Sequence, residues 1–131
     1  MMRWGLTYAA ALLALGLLDG IWLGLVARDF YRAEMSAVAA TEVNKIPALA
    51  FYLLYPVGLL ALTLVPTPMD WKSALWRAAL VGLVAYGTYD LTNLATLKQW
   101  SWRLAMTDVA WGTFISACMG GVAYWVWHKL G

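Results

Sequence analysis

Four long apolar runs dominate the pattern of hydrophobic and polar positions along the chain. They cover Trp4–Ala27, Ile46–Val65, Ala74–Leu97 and Leu104–Trp127. Each run has roughly the 20 residues that a helix needs to cross the hydrocarbon core of a bilayer. The pattern therefore predicts an all-α integral membrane protein: a bundle of four transmembrane helices in a single domain over residues 1–131.

The segments at the ends of the runs contain residues that commonly begin or end helices. Pro47 falls in the first turn of the second run, and Pro66 and Pro68 follow its end. Ser101 is placed to cap the fourth helix. Arg28–Lys45 is the only long connection, and its mixture of aromatic and charged residues predicts a short interfacial helix between the first and second spans.

Composition and charge further restrict the class of protein and the kinds of site that the chain can contain. Of the 131 residues, 63% are hydrophobic and 12% charged, and soluble domains have about 25% charged residues. A net charge of +2 is too small to suggest nucleic-acid binding. The single cysteine, Cys118, excludes an intrachain disulfide and a thiolate zinc site. Basic residues number four on the terminal side and five on the other, so the orientation is left open.

Three aspartates interrupt the apolar runs. Asp19, Asp90 and Asp108 lie in the first, third and fourth runs. A charged carboxylate in hydrocarbon costs about 2.5–3.5 kcal/mol on insertion scales. Such residues seldom face lipid, so we expect them to face one another, a cavity or a ligand.

Helix direction and helical phase bring these residues together. With consecutive spans antiparallel, the three aspartates lie roughly 10–12 Å from the same membrane face, and tyrosines of the second span lie at similar depth. Asp19 shares a helix face with Trp22, and Asp108 with Trp111. The third span has a polar stripe formed by Tyr86, Tyr89, Asp90, Asn93 and Thr96.

The predicted ligand-binding layer thus contains ten side chains: Asp19, Trp22, Tyr52, Tyr55, Tyr86, Tyr89, Asp90, Asn93, Asp108 and Trp111. Crowded carboxyl groups in an apolar layer are expected to share protons, with basic residues at the mouth (Arg28, Lys45, Lys98 and Arg103) neutralising some of them. Structural roles are the alternative: Asp19 could pair with Arg28 or with a tyrosine of a neighbouring helix, and Asp108 could complement a helix N-terminus. The layer has no histidine, so no metal is expected; the sequence identifies no cofactor.

Other features predict packing. Gly16, Gly20 and Gly24 form one ridge of small residues, and Gly112, Ser116 and Gly120 form another, both suited to close helix contact. Seven of the nine tryptophans, including Trp100 and Trp102, fit an aromatic belt at the membrane interfaces.

Four segments also resemble a known family. They are Leu18–Gly24, Pro47–Tyr52, Tyr86–Leu97 and Asp108–Gly112, of which the Tyr-Gly-Thr-Tyr-Asp-Leu-Thr-Asn stretch is the most specific. They resemble small predicted bacterial integral membrane proteins classed as domain of unknown function 2177. The resemblance spans nearly the whole chain and implies a multi-pass protein of the bacterial inner membrane. It implies no activity.

Three functions fit these residues. The first hypothesis is binding or transport of a small cationic or amphiphilic ligand with proton coupling, because carboxylates and aromatic rings converge. The second is an acid–base enzyme that modifies a lipid or isoprenoid. The third is an accessory subunit or assembly factor of a larger membrane complex. The expected partners are the lipid bilayer, a small-molecule or lipid ligand, and further copies or subunits.

Overall fold

The computed structural model describes residues 1–131 and contains helices but no strands. Its helices are α1 (Met2–Ile21, continued by a π-helical turn over Trp22–Val26), α2 (Arg28–Glu34), α3 (Lys45–Leu64), α4 (Trp71–Thr96) and α5 (Trp102–Leu130). All four apolar runs are confirmed as helices, with ends within three residues of the predicted ones. A short helix in the long connection is confirmed as α2.

Three helices are long and apolar enough to cross a membrane: Met2–Val26, Lys45–Leu64 and Trp102–Leu130. The polar stripe of α4 makes that helix less apolar than the others, although it has 26 residues. The chain is therefore an all-helical membrane protein with three candidate spans.

Side chains at the helix starts explain where α4 and α5 begin. The Ser101 hydroxyl accepts the Leu104 N–H at 3.0 Å, which confirms the predicted cap. Asp70 caps α4 in the same way by accepting the Ser73 N–H at 2.8 Å, a role that the sequence analysis did not assign. Asp70 lies outside the spans, and this hydrogen bond lowers its pKa. These caps satisfy backbone donors that the first helical turn leaves free.

The centre of the bundle is α5, which packs against α1, α3 and α4. Leu15 of α1, Leu59 of α3, and Ile115 and Met119 of α5 are completely buried in one apolar core. The most extensive helix contact joins α4 and α5. Burial of these side chains fixes the order of the helices around the candidate site.

Small residues bring α4 and α5 together. The predicted ridge Gly112, Ser116 and Gly120 is confirmed as a close contact. Its partner is a row at four-residue intervals on α4: Ala74, Ala78 and Gly82. A Cβ atom on Gly82 would overlap the Gly112 carbonyl oxygen, and one on Gly120 would overlap the Ala78 side chain. The two backbones therefore approach more closely than larger side chains allow.

The prediction that Gly16, Gly20 and Gly24 pack inside the bundle is wrong. A Cβ atom on any of them would meet no atom within 4 Å. The ridge lies on the outer face of α1 because Thr7, Ala11, Leu15 and Asp19, at four-residue intervals, face inward instead. The four-residue spacing identified which residues share a face of the helix, but not whether that face points into the bundle or away from it.

Candidate functional site

A cavity of about 420 Å³ lies among the four long helices. Its lining combines two carboxyl groups with four aromatic rings and small or aliphatic side chains: Asp19, Leu23, Phe51, Ala85, Tyr86, Tyr89, Asp108 and Trp111. No lysine, arginine or histidine belongs to this lining. A mostly apolar cavity with few convergent polar groups is typical of a small-molecule site.

Asp19 is held by donors from two other helices. The Trp111 indole N–H donates to Oδ1 at 3.0 Å, and the Tyr52 hydroxyl donates to Oδ2. Asp19 is only 6% exposed, yet it reaches the cavity wall. Hydrogen bonds of this type favour an anionic acceptor. Thus α1, α3 and α5 together fix the position of this carboxylate.

Trp22 and Trp111 form the aromatic wall beside Asp19. Their rings stack with centroids 4.5 Å apart and planes 6° from parallel. Trp22 begins the π-helical turn, an irregularity that often marks functional positions in helices. Its indole N–H donates to the Tyr31 hydroxyl at 3.2 Å. The Tyr31 hydroxyl in turn donates to Asp108 Oδ1 at 2.8 Å. A hydrogen-bonded chain therefore joins α1, α2 and α5.

Helix α2 is anchored over the Asp108 end of the cavity. Besides Tyr31, Glu34 accepts a hydrogen bond from the Ser101 hydroxyl at 2.8 Å and lies 3.8 Å from the Arg103 guanidinium. Burial raises the pKa of Tyr31, with the Asp108 charge acting in the same direction. The hydroxyl therefore keeps its proton at neutral pH and remains a donor to Asp108.

Asp90 is the least satisfied polar side chain in the protein. It is completely buried, and neither carboxyl oxygen has a hydrogen-bond partner. The Asp108 carboxyl and the Trp100 indole are its polar neighbours, and the Trp100 N–H is also unpaired. Trp100 is only 7% exposed, so it does not face lipid as a residue of the predicted aromatic belt would. It packs with Leu104 in a small separate cluster, which Phe30, Tyr31 and Met35 cover.

The structure brings most of the predicted side chains together. Five line the cavity: Asp19, Tyr86, Tyr89, Asp108 and Trp111. Trp22 and Tyr52 contact these residues, and Asp90 lies behind Asp108. Tyr55 is turned toward α5, where its hydroxyl forms a 2.6 Å hydrogen bond with Ser116. Asn93 is half-buried outside the cavity lining. A ligand-binding role for these residues stays a prediction.

The expected neutralisation by basic residues at the mouth is wrong. The protein's one salt bridge joins Arg103 to Glu34, and none reaches the three aspartates. Asp19 is paired with Trp111 and Tyr52 rather than with Arg28. Helix α5 begins at Trp102, so Asp108 lies beyond its first turn and does not serve as an N-terminal charge. The structural alternative is therefore confirmed for Asp19, which pairs with a tyrosine of a neighbouring helix, and is wrong for Asp108.

Sequence reasoning missed Tyr31 and the apolar walls Leu23, Phe51 and Ala85. Tyr31 was visible only as an aromatic residue in the long connection, and nothing in its spacing linked it to Asp108. A local signal did exist, since the Phe30-Tyr31 pair falls in the predicted interfacial helix at the membrane face that the aspartates approach. The structure contains no group of three or more His, Cys, Asp or Glu side chains arranged to hold a metal ion.

Comparison with known proteins supports the class of the chain. A family model described as Predicted membrane protein (DUF2177) matches residues 4–125. The chain therefore belongs to this family of predicted membrane proteins of unknown function. No protein of curated function and no solved structure matches it.

Proposed function

We propose that this family member crosses the bacterial inner membrane four times, with α4 as the additional span. At 1.5 Å per residue α4 is about 39 Å long, more than the roughly 30 Å of a hydrocarbon core. Its Thr88, Thr92 and Thr96 hydroxyls donate to carbonyl oxygens one turn earlier, so they need no water. Leu83 and Leu91 face outward from the same helix, as lipid-facing residues do. Four spans place both termini on the same side of the membrane. Protease accessibility of tags at the two termini, measured in oriented vesicles, tests this arrangement. Termini on opposite sides would contradict the fourth span.

The function that the geometry supports best is binding of a small organic cation in exchange for a proton, the first step of proton-coupled transport. One observation carries this proposal: two carboxyl groups, Asp19 and Asp108, line an aromatic cavity that contains no basic side chain. A mostly apolar cavity of this kind leaves the carboxyl groups without a basic partner, and an ammonium ion supplies one. The aromatic rings that line the cavity add cation–π attraction.

The two carboxyl groups at the cavity wall differ in the number of hydrogen-bond donors that they accept. Asp19 has two hydrogen-bond donors, which hold its carboxyl group in one position. Asp108 has one donor, Tyr31, and keeps acceptor capacity for a ligand. A cation therefore finds one immobile carboxylate and one adaptable carboxylate on the same wall.

Asp90 supplies the proton in this proposal. A buried carboxylate without donors is costly, so Asp90 holds a proton beside the neighbouring Asp108 carboxyl. When a cation settles beside Asp108, its field favours the ionised form of Asp90, and the Asp90 proton leaves. Cation binding and proton release are thereby coupled through one pair of side chains.

The test uses purified protein in nanodiscs titrated with butyltrimethylammonium. Asp19→Asn keeps the side-chain volume but removes the charge, and it should weaken binding about tenfold to a hundredfold, the worth of one charged interaction. Asp70→Asn is the matched control, because Asp70 is an exposed cap outside the cavity and asparagine caps equally well. Equal binding by the wild type and Asp19→Asn would overturn the proposed site.

Proton coupling is measured in the same samples with a pH indicator in weak buffer. The wild type should release close to one proton per bound cation, because Asp90 holds one. Asp90→Asn should still bind the cation but release no proton. Full proton release by Asp90→Asn would show that another group is responsible.

A further inference from the structure

An apolar groove lies on the outer surface of the bundle between α3 and α4, next to the carboxylate cavity. Its volume is about 360 Å³, and its walls include Leu54, Gly58 and Leu62 from α3 and Val81 from α4. Its only polar side chain is Tyr55, whose hydroxyl is already bonded to Ser116. The groove therefore offers nothing to a polar group and suits hydrocarbon.

The groove and the carboxylate cavity are adjacent along both helices. Phe51 borders both of them. On α4, Val81 lines the groove and Ala85, one turn later, lines the cavity. A molecule with a polar end in the cavity therefore has an apolar groove beside it for a hydrocarbon chain.

The length of the groove suits a hydrocarbon chain. From Phe51 to Leu62 the groove follows one face of α3 for about 16 Å at 1.5 Å per residue. It begins at the layer of Asp19 and Asp108, roughly 10 Å below one membrane face, and continues past the bilayer centre. An extended chain with its head in that layer therefore lies along α3 within the hydrocarbon core.

From this adjacency we infer that the ligand is an alkylammonium amphiphile, which enters sideways from the bilayer with its ammonium group in the carboxylate cavity and one hydrocarbon chain in the α3–α4 groove. The inference rests on the proposed cation site and adds the chain and its path. Gly58 is the key position, because it leaves the middle of the groove open: a Cβ atom there would meet no atom within 4 Å.

The test is photo-crosslinking in nanodiscs with two alkyltrimethylammonium probes, one with a diazirine near the head and one with a diazirine at the chain end. The head probe should label the peptide around Phe51 and Tyr86. The chain-end probe should label the region of Leu62 and Val81. Excess butyltrimethylammonium should suppress labelling by both probes, because it occupies the head site. If labelling is unchanged in its presence, the probes report only the surrounding lipid, and the inference is overturned.

Two glycine variants distinguish the effect of filling the groove from the effect of adding a leucine side chain elsewhere. Gly58→Leu fills the groove with a side chain that the fold has room for, and it should reduce chain-end labelling about tenfold, at the low end of what overpacking a contact costs. Gly5→Leu makes the same change on α1 at another open position and should leave labelling as in the wild type. Unchanged chain-end labelling in Gly58→Leu would overturn the groove assignment.

The head probe distinguishes failure of this inference from failure of the proposed function. If head labelling depends on Asp19 while the chain end labels many sites equally, the cation site stands and the groove is wrong. If Asp19→Asn leaves head labelling unchanged, the cation site itself is wrong, and the groove assignment falls with it.

Discussion

The close contact between α4 and α5 can be tested with a single methyl group. In Gly82→Ala the added Cβ would overlap the Gly112 carbonyl oxygen and the Ser116 side chain. The carbonyl belongs to the α5 backbone, so the clash cannot be relieved by a rotamer change. The helices must separate, and the layer that holds Tyr86 and Trp111 must move with them.

The expected loss of stability follows from three contributions. Overpacking at a rigid contact costs about 1–3 kcal/mol. Displacement of Ser116 strains its hydrogen bond with Tyr55, worth about 1 kcal/mol. Alanine recovers about 1 kcal/mol through its higher helix propensity. Gly82→Ala should therefore lower the free energy of unfolding by about 2 kcal/mol.

Gly87→Ala is the matched control in the same helix. Gly87 is also buried, but a Cβ atom there would meet no atom within 4 Å. Only the propensity gain remains, so this variant should be as stable as the wild type or up to about 1 kcal/mol more stable. Unfolding of both variants in mixed micelles, followed by circular dichroism, measures the difference. Equal stabilities for the two variants would refute the close packing of α4 on α5.

Two further predictions concern side chains around Asp108. Tyr31→Phe removes the donor to Asp108 and leaves Trp22 without its acceptor, so it should lower the free energy of unfolding by about 1–2 kcal/mol in the same assay; wild-type stability would show that α2 is not anchored by this hydroxyl. Asp90→Leu replaces an unpaired buried carboxyl with an apolar side chain, so it should leave stability unchanged or raise it while abolishing proton release. A strongly destabilised Asp90→Leu protein would show that Asp90 has a structural partner.

Much of the fold could be predicted because it depends on properties that are local in sequence. Apolar runs gave the four long helices, and a single serine before an apolar run gave the cap at Ser101. Helix direction placed Asp19 and Asp108 in one layer, and both line one cavity. The length of an apolar run, a capping residue and the depth of a side chain in the membrane can all be predicted without knowing which helices are neighbours.

Properties that depend on neighbours could not be predicted in this way. Helical phase identifies a face but not what it meets, so the Gly16 ridge was expected inside and lies outside. Trp100 fitted an interfacial position by depth, but the turn before α5 buries it. Tyr31 reaches Asp108 only because the π-helical turn and α2 fold back over the bundle. Each of these cases requires the tertiary arrangement.

The central claim is that the carboxylates of the cavity recognise positive charge. Its most direct test is the affinity of the protein for choline compared with dimethylbutanol, the neutral isostere in which carbon replaces the ammonium nitrogen. The wild type should bind the cation at least about tenfold more tightly, a difference of about 1.4 kcal/mol, and the preference should disappear in the Asp19→Asn, Asp108→Asn double variant. Equal affinity of the wild type for the two compounds would contradict the account.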